Sequence, residues 1–450
     1  MTDQNTGVES VSRRAVLGAV GTAGAVSMAG CGVLSGDSDE ESERETVIGI
    51  GLPDDGRWEN EGKLLEAGYL LATQHINEGA GPVVADGEYE PPLGELDGGL
   101  LGETIELEVR NTASTEERAR QSASELASEG VIALAGGASP AEGLGLQRVA
   151  SEEETIYMGG FTPTTEMGGG QCSQYGFNGV QNSRLAADAL GTVVPKQLPD
   201  EQSTFAQVYP ESEFGEELLE AAEDGLSSDS RLRENRSFAT QVGAGSYTET
   251  LERVLETQVS VIVLNFTGLN GAIALQDLAD LAAKREESNI QAIVPMMTRE
   301  LLRNAGDSLV IDGNPVLGAV PWTHNLDDPF TNRFLESWQD ANLSIDLSVP
   351  EMPSALSHLA YVQLYQYAAA VERAGSTDPG AVIDELEGQQ YNVGPGSAEL
   401  RACDHQAIQP VPVVMGLPEI QQDPGEYTEL VEVADVSYSC EESPASDCEL

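Results

Sequence analysis

The chain has 450 residues and an extreme charge balance, with 76 acidic against 22 basic residues and a net charge of −54. This length has room for two or three domains with large cores. So acidic a surface repels nucleic acid and anionic lipid, which excludes binding to polyanions. The acids are scattered along the chain, and Lys is nearly absent. The pattern favours adaptation to high salt over an acidic surface that binds cations or a partner.

The N-terminal residues have the layout of an export signal. Two adjacent arginines, Arg13 and Arg14, precede the short apolar stretch 15–30, which ends in Met-Ala-Gly before Cys31. The arginine pair indicates the twin-arginine route, and a Cys after Ala-Gly resembles a lipoprotein cleavage site. A transmembrane helix is the alternative, but the stretch is short and interrupted by Gly, whereas a span needs about 20 apolar residues.

The signal predicts where the protein works. We expect residues 1–30 to be removed, Cys31 to carry a lipid, and the acidic segment 31–45 to act as a tether. The remaining chain is then an extracytoplasmic domain, anchored by lipid at the outer face of the cytoplasmic membrane.

From residue 46 onward, short apolar strands alternate with helices in two successive series. The first series predicts strands at 46–51, 104–110, 131–135 and 155–158 and helices at 62–77, 115–130 and 141–154. The second predicts strands at 203–209, 237–241, 259–265, 290–295 and 315–320 and helices at 215–225, 247–257 and 271–283. The remainder predicts helices at 357–374 and from Pro379 and strands at 410–415 and 427–436.

This alternation indicates an α/β fold with two doubly wound units, each a parallel sheet covered on both faces. Such sheets bind ligands at the carboxyl ends of their strands, so two facing units form a cleft. The insert 82–102 is rich in Gly, Pro and acids and is predicted to be a surface loop.

Four cysteines remain if Cys31 is lipidated, an even number that suits disulfides in an oxidising compartment. Three pairings of these residues are possible, and the sequence does not choose among them: Cys172, Cys403, Cys440 and Cys448. Zinc is the alternative, with Cys403 and the nearby His405 as the tightest cluster, but no C-x-x-C occurs. We expect no metal site.

Two enzyme motifs fail at the residue level. The segment 137–141 places Ser139 after a strand but lacks the last Gly of G-x-S-x-G, and Pro140 has no N–H for an oxyanion hole. A dinucleotide site needs G-x-G-x-x-G, yet Gly49-Ile50-Gly51 continues to Asp54. We expect neither an enzyme nor a cofactor.

Ordered landmarks along residues 46–440 carry a resemblance to a known family. They are Val47–Pro53, Gly62, Gly68, Gln74–Asn77, Gly130–Gly137, Tyr175–Phe177, Phe214-Gly215, Tyr361, Glu372–Ser376 and Asp404–Gln406. With these landmarks in this order, the chain resembles the type I periplasmic-binding-fold solute receptors of ABC transporters, specifically the branched-chain amino acid and amide group. The resemblance implies two Rossmann-like lobes joined by three crossovers. It places lobe I at 46–180 plus 321–392, lobe II at 181–320 plus 393–440, and an irregular tail at 441–450.

The resemblance also implies the function. A monomeric receptor captures a small amino-acid-like or amide ligand between its lobes and passes it to an ABC permease, whose separate ATPase subunit drives uptake. The alternative is a ligand-sensing ectodomain of the same fold that works with a separate signalling partner.

The ligand residues are carried over from the family by position. They are Trp58, Ala138, Ser139, Phe161, Thr162, Thr164, Phe214, Thr267 and Glu300. The hydroxyls after the third and fourth strands suit a ligand carboxylate, and Glu300 suits a ligand ammonium. Local alternatives stay open: Ser139 as a helix N-cap, Glu300 as a solvated helix start, and Trp58 as a surface residue on a loop.

Overall fold

A computed structural model describes residues 46–82, 85, 89–199, 202–285, 289–341, 352–422 and 425–450. The predicted signal, Cys31 and the tether lie outside these residues. Within the described ranges, no helix has the length and apolar character needed to cross a bilayer.

The first lobe is built on a parallel five-stranded sheet. Its strands are β1 (Thr46–Leu52), β2 (Ile105–Asn111), β3 (Ala133–Gly136), β4 (Tyr157–Gly159) and β5 (Gly176–Asn178), in the order β2-β1-β3-β4-β5. Its first helices are α1 (Glu59–Glu78), α2 (Glu116–Ser128) and α3 (Pro140–Glu152). The ends of β1 and β3 are in register at Gly51 and Gly136. A Cβ on Gly136 would lie 2.1 Å from the Gly51 carbonyl oxygen, so this approach requires glycine.

The second lobe contains a mixed seven-stranded sheet. Its elements are α4 (Ser183–Gln197), β6 (Ser203–Pro210), α5 (Glu213–Ser227), β7 (Leu232–Thr240), α6 (Thr248–Leu255), β8 (Val261–Leu264), α7 (Gly268–Ala282), β9 (Gln291–Met296), α8 (Arg299–Ala305), the hairpin β10 (Val310–Ile311) and β11 (Asn314–Pro315), and β12 (Leu317–Ala319). Two strands late in the chain complete this sheet by antiparallel pairing, β16 (Val411–Gly416) and β17 (Thr428–Ala434). The strand order is β17-β16-β12-β9-β8-β6-β7.

Between β12 and β16 the chain returns to the first lobe. This segment contains α9 (Pro329–Asp340), α10 (Ala355–Ala374), α11 (Pro379–Leu386), β13 (Gln389–Tyr391), β14 (Ala398–Leu400) and β15 (Ala407–Ile408). Helix α10 packs on α1 so closely that a Cβ on Gly68 would lie 2.1 Å from the Ser357 carbonyl oxygen. Over the described residues, the chain therefore crosses between the lobes three times, after β5, after β12 and after β15.

Two expectations differ from the structure. The third crossover was expected at 392/393, but Val393, Leu400 and Ala407 are buried in the core of the first lobe, so the crossover lies between β15 and β16. The insert 82–102 is not simply a surface loop, because its Leu93 and Leu96 are buried in the same core. The Gly- and Pro-rich composition of the insert hid the contribution of these leucines to the core.

The C-terminal tail, here taken as residues 435–450 after β17, contacts both lobes. Tyr438 and Ala445 pack in a core cluster of the second lobe. Disulfides join the tail to cysteines of the first lobe, pairing Cys172 with Cys448 and Cys403 with Cys440. This is one of the three pairings that the sequence left open.

Candidate functional site

Ser139 follows β3 and caps helix α3. Its hydroxyl oxygen accepts a hydrogen bond from the Glu142 N–H at 3.4 Å, and the hydroxyl donates to Glu142 Oε2 at 2.7 Å. Ser139 is therefore the N-cap of α3, with Pro140 at the first helical position. Ala138 beside it is fully buried. Both contacts of the Ser139 hydroxyl are therefore within its own helix start, as the local alternative expected.

The Glu142 carboxyl accepts hydrogen bonds from the hydroxyl groups at this end of the first sheet. It is fully buried and also accepts a hydrogen bond from the hydroxyl of Thr112, which follows β2. Burial raises the pKa of the Glu142 carboxyl, while the two hydroxyl donors oppose that shift.

The loop after β4 carries Phe161, Thr162 and Thr164, all buried. The Thr162 hydroxyl donates to Asn178 Oδ1 at 3.4 Å, which ties β4 to β5. Thr164 instead reaches the other lobe, where its hydroxyl donates to Glu217 Oε2 at 2.6 Å.

Glu217 on helix α5 joins the two lobes. Besides Thr164, it accepts hydrogen bonds from the Thr165 N–H at 2.7 Å and from the Ser183 hydroxyl. Burial raises the pKa of the Glu217 carboxyl, and the donors partly offset that shift. Phe214, one turn earlier, is half-buried and packs against a core cluster of the second lobe.

A second contact between the lobes lies at the start of α1. Glu61 is fully buried there, and its Oε1 accepts a hydrogen bond from Thr298 Oγ1 of the second lobe at 3.4 Å. Asn60 Nδ2 donates to Oε1 of Glu300 at 2.9 Å. Burial, and then the proximity of Glu300, raise the pKa of Glu61 well above its usual range.

Trp58 and the start of α7 belong to the same contact. Trp58 is buried, and its Cζ3 would lie 3.5 Å from a Cβ on Gly268, the first residue of α7. Thr267 precedes that glycine and is buried at the N-cap without a side-chain capping bond. The structure thus brings Trp58, Thr267 and Glu300 to one contact between the lobes, and Thr164 to another.

Sequence reasoning missed Glu61 and Glu217. Each lies in the first turns of a helix, where acids are common because of the helix dipole. Only their contacts across the lobes distinguish them from ordinary helix-start acids, and those contacts join distant parts of the chain. Glu61 lies three residues after Trp58, so the sequence could have indicated Glu61 as a site residue only by first placing Trp58 in the cleft.

Two cavities in the described residues lie elsewhere. One is lined by the three crossovers, with Gly179, Pro321 and Gln409 beside His358 and Gln363 of α10. The other lies beside Arg299 and His324. Neither is lined by the ligand residues expected from the sequence.

The residues of the alternative zinc cluster have other partners in the structure. Cys403 forms a disulfide with Cys440, Asp404 pairs with Arg401, and His405 stacks on Phe177 with ring centroids 4.0 Å apart. His405 Nε2 also lies 3.0 Å from Glu387 Oε1. These residues form a structural cluster beside the third crossover.

A family model described as periplasmic binding protein matches residues 45–417. The chain belongs to this family. The periplasmic binding proteins and their neighbours of known structure are substrate-binding proteins rather than enzymes. No curated protein matches the chain by sequence.

Solved structures support the same fold. An amino acid ABC transporter substrate-binding protein from Pseudomonas fluorescens is similar with a TM-score of 0.76 and 17% identity, over 90% of this chain and 98% of that one. A leucine-binding protein from Thermotoga maritima gives 0.67 and 16%, over 87% and 99%. A solute-binding protein from R. palustris in complex with benzoate gives 0.69 and 14%, over 90% and 100%. The chain therefore has the type I periplasmic binding protein fold of ABC transporter receptors, with two lobes.

Proposed function

We propose that this periplasmic binding protein is an extracytoplasmic solute receptor that captures a small amino-acid-like or amide ligand between its lobes. The observation that carries the proposal is the meeting of the two lobes through polar side chains at the carboxyl ends of their strands, Asn60 with Glu300 and Thr164 with Glu217. Such strand ends are where open α/β sheets bind ligands. The names of the neighbours, which include amino acid, leucine and benzoate, support a small organic ligand.

Capture proceeds by opening and closing of the lobes about the three crossovers. Trp58, Ala138, Ser139, Phe161 and Thr162 are the ligand residues proposed on the first lobe, with Thr164 at its edge. Phe214, Thr267 and Glu300 are those of the second. The closed form then docks on a membrane permease, and a separate ATPase subunit drives uptake. The receptor is proposed to act as a monomer held at the membrane by lipid on Cys31.

A thermal-shift screen tests the capture step. The purified protein is heated in molar KCl with branched-chain amino acids, polar amino acids, amides, urea and aromatic acids in turn. A true ligand raises the unfolding temperature in a concentration-dependent manner because it binds only the folded state. If no compound of any class does so, capture of such solutes is wrong. Co-purification with permease and ATPase subunits would support transport, and co-purification with a signalling protein would support the sensing alternative.

Export and anchoring have their own test. A reporter fused to residues 1–35 should fail to leave the cytoplasm when Arg13 and Arg14 become lysines, since the twin-arginine pair is the recognised feature. Replacing Cys31 by Ser should leave export intact but release the protein from membranes. Normal export of the double-lysine form would rule out the twin-arginine route.

A further inference from the structure

Two carboxyl groups from opposite lobes meet beside Trp58. Glu61 is the third residue of α1 in the first lobe, and Glu300 is the second residue of α8 in the other. Each receives one neutral donor, from Thr298 and Asn60 respectively. Within the described residues, no Lys or Arg forms an ion pair with either carboxyl. The contact therefore joins two acids without a protein cation between them.

One oxygen of the Glu61 carboxyl lacks a hydrogen-bond partner among the described residues. The side chain is fully buried, and among the described residues nothing donates a hydrogen bond to its Oε2. A buried carboxylate oxygen that has neither a donor nor a counter-charge is unfavourable, so such a group takes up a proton or a cation. In the closed contact, the raised pKa of Glu61 indicates the proton.

The surroundings fit a positively charged organic group. A Cβ on Gly268 would lie 3.3 Å from Glu61 Oε1, 3.7 Å from Glu300 Oε2 and 3.5 Å from the Trp58 ring. The two carboxyls and an indole thus surround bare backbone. Carboxylates bind ammonium and guanidinium by charge-assisted hydrogen bonds, and indole attracts the same cations. The guanidinium of Arg57 already lies over the Trp58 ring at 5.1 Å, which leaves the carboxyls as the main cation-binding groups.

The hydroxyls that suited a ligand carboxylate are already engaged. Ser139 donates to Glu142 and Thr164 donates to Glu217, so both serve protein carboxylates. The facing strand ends therefore hold three buried acids, Glu61, Glu142 and Glu300, and the half-buried Glu217. This arrangement disfavours a ligand whose net charge is negative.

We propose that Glu61 adds a second carboxyl to Glu300, the acid that the family resemblance assigns to a ligand ammonium, so that the receptor takes a ligand with a net positive charge, a basic amino acid or an amine. This inference rests on the proposed function and narrows its ligand class. Glu61 is a specificity-determining residue: when the lobes separate and close again, the ligand cation takes the place of the proton on Glu61. Its positive charge satisfies both carboxylates at once.

Calorimetric titration tests the inference with four probes: L-arginine, 1,4-diaminobutane, L-leucine and benzoate. The titrations are done in about 1 M KCl, because salt at this concentration screens exposed charges but screens buried ion pairs much less. At least one of the two cations should bind. Glu61→Gln should weaken that binding about tenfold or more, whereas Glu59→Gln should change it by less than about twofold. Glu59 is the matched control, since it lies on the same helical turn but pairs with Lys63.

The outcomes separate the two proposals. Binding of L-leucine or benzoate, with neither cation bound, would overturn the cation inference and leave solute capture standing. Equal effects of the Glu61 and Glu59 substitutions would also overturn it. If none of the four probes or the wider screen binds, both proposals fail. If thermal unfolding shows that the Glu61→Gln variant is not folded, Glu300→Gln replaces it in the same comparison.

Discussion

Buried carboxyls at the strand ends differ in the donors they receive. Glu142 accepts hydrogen bonds from Ser139 and Thr112, and Glu217 accepts them from Thr164, Thr165 and Ser183. Among side chains of the described residues, Thr298 is the donor to Glu61, and its bond is long, at 3.4 Å. Because burial disfavours the charged form of all three, the number of donors decides how easily each carboxyl can lose its proton. Glu61 is the carboxyl left most dependent on an outside charge.

Ser139→Ala should lower the free energy of unfolding by about 1–3 kcal/mol, because it removes both an N-cap and a donor to a buried acid. Urea unfolding measures the loss. Ser212→Ala is the control, since Ser212 caps α5 through the Gly215 N–H, with no buried acid among its contacts. Equal losses in the two variants would show that the bond to Glu142 contributes nothing. If Ser139 also binds ligand, its variant loses affinity in addition, and the Ser212 variant does not.

The free energy of unfolding should fall as pH rises above the ordinary glutamate pKa of 4.5. The pKa of Glu61 is higher in the folded chain than in the unfolded chain, so the folded state holds more protons between the two values and loses that advantage as pH rises. Glu142 and Glu217 contribute with the same sign. Glu61→Gln should flatten part of this slope in urea titrations at several pH values. A slope unchanged by that substitution, and equal to the slope of Glu59→Gln, would contradict the assignment.

At the scale of elements, the sequence predicts best where a local pattern is strong. The strand at 46–51 and the helix at 357–374 correspond to β1 and α10, whose apolar spacing is regular. Strand β5 was missed because three residues carry no periodicity, and α4 was missed although it is a full helix of the second lobe. Helix α4 is largely buried and carries Pro195 inside it, which weakens the helical signal.

The residues of the candidate site also differ in whether a local sequence pattern could identify them. Ser139 could be assigned to a helix start because an N-cap is a local pattern. Trp58 and Glu300 were named from a resemblance, and the structure brings them to one contact. Glu61 could not be found locally, since its partners Thr298 and Glu300 lie more than two hundred positions away in the chain.

Glu217 links α5 to the 3₁₀ turn Thr165–Gly168 of the other lobe. Glu217→Gln places an amide NH₂ against a set of donors, so the free energy of unfolding in urea should fall by about 1–3 kcal/mol. Glu220→Gln on the same helix is the control, because Glu220 is exposed. A larger radius of gyration in solution should accompany the Glu217 change if the link also holds the lobes together. Identical stabilities of the two variants would contradict a role for this link.

At the scale of the whole molecule, the net charge of −54 opposes the compact state. Raising KCl from about 0.1 M to about 1 M shortens the screening length from about 10 Å to about 3 Å. The unfolding temperature should therefore rise by several degrees, as adaptation to salt would require. Sucrose at equal osmolality is the control for effects of solute exclusion. An unfolding temperature that falls with KCl, or rises equally in sucrose, would argue against adaptation to salt.

The two disulfides of the tail have a mechanical consequence. Tyr438 packs with the second lobe, and it also accepts a hydrogen bond from Asn182 at the first crossover and another, on its carbonyl, from Arg401 near the third. The bonds Cys172–Cys448 and Cys403–Cys440 hold the same tail to the first lobe. The lobes thus have covalent ties beyond their three crossovers. Sliding or twisting of one lobe past the other would stretch these ties, so we expect the oxidised chain to move chiefly by a rotation about the crossovers.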